Sequence, residues 1–187
     1  MIIARQNGDR RGEGSVLNTL GNTYANLGNI QKAIQIHKER LEIALEIGDV
    51  RGEAKSLGNL GVCYKKLGEV DKAIEFFEQS LIINCKIGYR LEEGITLGNL
   101  GNAYAKSGET QKAIGFYEQQ LSIARETSDR RGEGNALWNS AVAHDLLGNR
   151  AEAITRAEAA LKIYETIQNP STAKVRAKLA KWRAAKP

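Results

Sequence analysis

The chain has 187 residues, 42% of them hydrophobic and 26% charged, which is ordinary globular composition with enough length for a real core. No apolar run approaches the roughly 18 residues of a membrane span, and the start, MIIARQNGDRR, lacks a signal-peptide layout. The net charge of +5 belongs to the tail: residues 168–187 hold six basic side chains and no acids, while the rest carries 21 basic and 22 acidic ones. The only cysteines, Cys63 and Cys85, form no CxxC pair and no disulfide scaffold, which points to a reducing, cytoplasmic setting.

Residues 1–7, MIIARQN, match SIARETS (122–128), so the chain opens as the end of a helix belonging to a truncated repeat. From residue 8 onward, four units of 40 residues align without a gap: 8–47, 48–87, 88–127 and 128–167. The first and third share 19 of 40 residues, and seven positions are identical in all four, in the first unit Glu13, Leu17, Gly28, Ala33, Ile34, Leu41 and Ile43. The hexapeptide DRRGEG (9–14) recurs at 129–134, with weaker copies between. A segment that returns every 40 residues is a joint in an array; a phosphate-binding loop would appear once, after a strand.

Each unit reads as two helices. Leu17, Leu20, Gly21 and Tyr24 fall on one helical face, and Ala33, Ile34, His37, Leu41 and Ala44 restart the same period. Between them Gly28, with Gly68, Gly108 and Gly148, suits a left-handed position after a helix end. Asp9, Asp49 and Asp129 suit N-caps, and no proline precedes Pro170. Gly21, Gly61 and Gly101 lie on the apolar stripe, where they let paired helices touch.

Leu-Gly-Asn-x-Tyr, then Gly, Ala-Ile and a late Leu, resembles the tetratricopeptide repeat; compare LGNTYANLGNIQKAI (20–34) with LGNAYAKSGETQKAI (100–114). The 40-residue form is similar to Pins-type spindle-orientation adaptors and to the sensor arrays of bacterial signalling NTPases. The resemblance implies an all-α fold, a right-handed α-solenoid of four helix-turn-helix repeats. Arg40 and Gln120 stand where the family has a small residue, and the fourth unit departs further, with Ser140, Ala141, His144 and Ala157. After Asn169-Pro170-Ser171, Val175, Leu179 and Trp182 form a narrow apolar stripe, so 170–187 is expected to be a basic capping helix over the last repeat. A basic membrane- or nucleic-acid-binding helix is the alternative. The uncapped start makes self-association through the N-terminal end a further expectation.

The resemblance also implies a binding groove lined by the first helix of each repeat. Its positions fall here on Asn18 and Asn22; Lys55, Gly58, Lys65 and Lys66; Gly98, Asn102 and Lys106; Asn135 and Trp138, with Arg11, Arg51 and Arg131 one turn earlier. Against these cations stands one acid, Asp145, so the expected partner is an extended, acidic protein or peptide segment. Gly58 and Gly98 open a trough for a peptide backbone, or only let helices pack; Trp138 anchors an apolar side chain, or packs on the cap. The glutamates at 13, 53, 93 and 133 read as structural partners of nearby arginines. His37 and His144 replace core aromatics and have no metal-binding spacing. No nucleophile, base and oxyanion donor converge, so neither an enzyme nor a cofactor or metal is expected. Membrane and nucleic-acid partners are disfavoured, the latter for want of interleaved exposed aromatics. An oligomerisation, spacer or sensor module of a larger signalling protein is the alternative function.

Overall fold

The computed structural model describes residues 8–184. The expected helix end at 1–7 and the last three residues of the tail lie outside the described residues. The chain is all-α, of the helical-repeat solenoid class. Its described helices are α1 (Arg10–Asn26), α2 (Ile30–Glu46), α3 (Val50–Leu67), α4 (Val70–Lys86), α5 (Arg90–Ser107), α6 (Thr110–Glu126), α7 (Arg130–Leu146), α8 (Arg150–Thr166) and α9 (Thr172–Ala184). They form two compact units, Met1–Gly88 and Tyr89–Pro187. In the first, α1 packs on α2, α2 on α3 and α3 on α4; in the second, each helix from α5 to α9 packs on the next.

The recurring DRRGEG motif starts helices. The side chains of Asp9, Asp49 and Asp129 accept the amide N–H of Gly12, Gly52 and Gly132 at 2.8–3.0 Å, satisfying one of the orphan donors of a first turn. The glycine accompanies the aspartate, because a Cβ at Gly132 would lie 2.3 Å from Asp129 Oδ2. The third copy has Tyr89 and Glu92 instead, and no side-chain cap forms. Three of the four recurring glutamates are buried: Glu13 is 1% exposed and pairs with Arg10, Glu93 with Arg90, and Glu133 with Arg125 and Arg130; Glu53 is half-buried. At the turn between paired helices Gly28 adopts φ +82°, and Asn29 N–H reaches back to Tyr24 O at 2.9 Å, closing the helix end.

Size complementarity joins the two helices of each pair. At Gly21, Gly61 and Gly101 a Cβ would lie 2.4–2.6 Å from the rings of His37, Phe77 and Tyr117. In the fourth repeat both partners are small, Ala141 and Ala157, each fully enclosed. That leaves room for α9, whose Leu179 and Trp182 join Ala141, Ala153 and Ala157 in one core cluster. Val175, Leu179 and Trp182 are all buried. Asp145 fixes this helix: its carboxylate accepts Trp182 Nε1–H at 2.8 Å and lies 3.5 Å from Lys178 Nζ.

Candidate functional site

In the first unit the sequence-predicted residues come from α1 and α3. Charge is divided between first and second helices here. α1 and α3 carry six cations (Arg10, Arg11, Arg51, Lys55, Lys65, Lys66) and two acids, Glu13 and Glu53. α2 and α4 carry five cations and six acids. Arg11, Arg51, Lys55 and Lys66 are exposed, as is Asn22; Lys65 is half-buried, its Nζ 5.7 Å from the centre of the Phe77 ring. Lys66 Nζ also donates to Ala25 O at 2.9 Å, capping the C-terminal carbonyls of α1. Asn18 Oδ1 accepts from Asn59 Nδ2 at 3.0 Å, so neighbouring first helices are joined by amides. Arg11, Asn18, Arg40 and Lys55 line one cavity of about 190 Å³.

In the second unit α5 and α7 repeat this arrangement with less charge. A cavity of about 370 Å³ is lined by Leu91, Ile95, Asn102, Gln120, Arg131 and Asn135, among others. Leu91 and Ile95 are both 45% exposed. Asn102 Oδ1 accepts from Tyr117 Oη at 2.9 Å and from Asn139 Nδ2 at 3.2 Å; Asn135 Oδ1 accepts from Tyr164 Oη at 2.8 Å. The rings thus hold these amides in place, and burial pushes the Tyr164 phenol up to about 12 and the Tyr117 phenol higher still. Lys106 is exposed near the end of α5. A third cavity, about 640 Å³, lies between Trp138, Val142 and Leu146 of α7 and Lys174, Lys178 and Lys181 of α9.

Several positions bear on readings that the sequence left open. Gly98 is buried, and Gln120 fills the place its side chain would take while both line the cavity of about 370 Å³; Gly58 is half-buried, with Ser80 Oγ 3.5 Å from where a Cβ would lie. Trp138 packs against Trp182 with ring centres 5.9 Å apart, and its other side faces the third cavity. Asp145 is committed to α9 and to Arg150, 2.9 Å away. The amides of Asn59, Asn99 and Asn139 were missed; their signal was an asparagine at the same place in three consecutive repeats. Among the described residues no three His, Cys, Asp or Glu side chains group to hold a metal ion, and no helix is long and apolar enough to cross a membrane. Cys63 is buried, which pushes its thiol up; Cys85 is exposed.

Among solved structures, a putative kinesin light chain from Podospora anserina with nearly identical TPR-like repeats superposes with a TM-score of 0.74 at 22% identity, covering 90% of this chain and 84% of that one. A signal-transduction ATPase with a tetratricopeptide repeat sensor, from Pyrococcus horikoshii, gives 0.77 at 22% identity over 87% of this chain and 25% of its own. Aspartyl phosphate phosphatase F of Bacillus subtilis gives 0.85 at 12% identity, over 94% and 45%. These likenesses concern the fold. A search of curated protein sequences returns no match. The model of the tetratricopeptide repeat matches residues 3–85 and 92–166, most of the chain. With the paired helices, turn glycines and 40-residue register, this places the chain in the tetratricopeptide repeat family.

Proposed function

We propose that the protein is a non-catalytic interaction scaffold whose first-unit helices α1 and α3 hold an extended acidic segment of a partner protein. The observation that carries this reading is the division of charge: six cations against two inward-turned or half-buried acids on α1 and α3, near balance on α2 and α4. A surface of one sign raises the local concentration of the opposite charge and speeds its arrival. Fold-level analogy supports the same class, since tetratricopeptide repeats serve mostly as interaction modules. In the second unit α5 and α7 balance four cations with four acids, and they offer amides, Leu91 and Ile95 to a neutral stretch.

The test is binding of a labelled glutamate-rich peptide by anisotropy. Reversing Arg51, Lys55 and Lys66 to Glu should abolish binding. Reversing Lys32 and Lys38 on α2 should leave most of it. Wild-type affinity should fall steeply with added salt, because exposed charges are screened over about 10 Å at 0.1 M. Equal binding by the first-helix variant and the wild type would remove the reading.

A further inference from the structure

We propose that the cleft between α7 and α9 is a binding site for a free fatty-acid-like molecule, a single aliphatic chain ending in an anion. The site lies wholly in the second unit and is independent of the acidic-segment reading, which concerns α1 and α3.

The cleft encloses about 640 Å³. That falls within the roughly 300–1,000 Å³ of sites that take small organic molecules. Its walls carry Trp138, Val142 and Leu146 from α7, Ala105 from α5 and Ala177 from α9. Trp138 is backed by Trp182, with ring centres 5.9 Å apart, so core packing fixes the face it turns to the cleft. Leu146 is 66% exposed. The lining amides Asn102 and Asn139 bond to each other at 3.2 Å, and Asn102 also accepts from Tyr117. This part of the wall is thereby held in place, and a tail entering the cleft meets mostly hydrocarbon and ring surface. Covering such a surface with an aliphatic chain releases water and is favourable.

The head group follows from charge. Lys174, Lys178 and Lys181 stand at i, i+4 and i+7 on α9, and no Asp or Glu lines the cleft. The two smaller cavities each include a carboxylate, Asp49 in one and Asp129 in the other. Lys178 is already engaged, 3.5 Å from Asp145 and 5.2 Å from the centre of the Trp182 ring. Lys174 and Lys181 are exposed and form no ion pair among the described residues. Like charges at this spacing repel, so an anion beside them relieves that repulsion as well as pairing with them. A bilayer is the poorer occupant. Val175, Leu179 and Trp182 are buried, the last two in a core cluster with Ala141 of α7 and with Ala153 and Ala157 of α8, which leaves α9 no apolar stripe to lay on a membrane.

The experiment titrates the full chain with decanoate, below the concentration at which it forms micelles, and follows tryptophan emission and heat. One decanoate should bind per chain and shift the emission, because Trp138 lines the site. Acetate should not bind, and octanoate should bind roughly ten- to twentyfold more weakly, as loss of two buried methylenes requires. Decyltrimethylammonium, with the same tail and the opposite charge, should bind at least tenfold more weakly than decanoate. Lys174→Gln/Lys181→Gln should weaken decanoate roughly fourfold, about twofold for each exposed ion pair. Leu146→Asp should abolish binding, while Leu27→Asp, at an exposed leucine of the first unit, should leave it intact. Equal binding of the two head groups, full affinity in both cleft variants, or no saturable binding of decanoate would each overturn the proposal. Capture by phosphatidylglycerol vesicles that is lost in Lys174→Gln/Lys181→Gln, without binding of free decanoate, would assign the lysines to a membrane surface instead.

Discussion

Gln120 occupies the space that a side chain on Gly98 would need: a Cβ there would lie 2.6 Å from its Nε2. The two positions are 22 residues apart, one on α5 and one on α6. The same spacing pairs half-buried Gly58 with Ser80, and Trp138 with the cluster holding Ala160. In two of these three pairs a large residue on one helix goes with a small one on its partner, which keeps the helices in contact as the sequence changes. A second series, 16 residues apart, pairs Gly21, Gly61 and Gly101 with the rings of His37, Phe77 and Tyr117.

The second series gives the sharper prediction. Gly101→Ala places a methyl 2.4 Å from Cε1 of Tyr117, a rigid ring whose hydroxyl is tied to Asn102. Overpacking costs about 1–3 kcal/mol, against a gain of about 1 kcal/mol in helix propensity. Urea unfolding should show a net loss in the single variant. In the Tyr117→Ala background, which copies the Ala141 and Ala157 pair of the fourth repeat, Gly101→Ala should become stabilising. A double-mutant cycle without coupling would sink this account.

The junctions between repeats supply a gain-of-stability test. Gly48 and Gly88 hold φ near +67°, and in the last junction Ser128 is forced to +57°. A side chain in the left-handed region costs about 1–2 kcal/mol, part of which returns as unfolded-state entropy when glycine replaces it. Ser128→Gly should therefore raise the melting temperature modestly, whereas Ser128→Val should lower it.

The helices and the turns between them were legible because caps, turn glycines and apolar stripes all recur in one register. Complementarity between paired helices was legible only in part. The 16-residue series announced itself through glycines on an apolar stripe. The 22-residue series did not, since Gly98 looks solvent-facing on a helical wheel until Gln120, on another helix, is seen to cover it. For the same reason Arg40 read as a departure from the family and not as the wall of a cavity. Asp145 reads as a groove residue from its register alone; α9 claims it through Trp182, 37 residues further on.

That claim predicts how the last helix comes loose. Asp145→Ala removes the acceptor of Trp182 Nε1–H and leaves the donor of a buried indole unpaired. Hydrogen exchange in α9 should quicken while α5 and α6 keep their protection. Trp182→Ala should cost more, about 3–5 kcal/mol, because it empties a core position beside Ala141 and Ala157. Equal exchange in α9 of the wild type and Asp145→Ala would show that the contact holds nothing.

His37 makes the first repeat acid-sensitive. It is 1% exposed, packed under Gly21, and neither ring nitrogen has a partner. Burial first, and the charge of Arg40 second, lower its pKa from 6.5 to about 4. Between these values the unfolded chain binds the proton and the folded chain does not. Stability from this site is therefore complete above pH 6.5, falls as the pH drops through the window, and is gone below about 4; the limiting slope is about 1.4 kcal/mol per pH unit. His37→Phe, the residue of the second repeat at this position, keeps the packing and removes the titration. The two proteins should melt within a few degrees of each other at pH 7.5. By pH 4.5 the wild type should have lost distinctly more stability than the variant. Parallel curves for the two would mean that His37 accepts its proton without strain in the folded state.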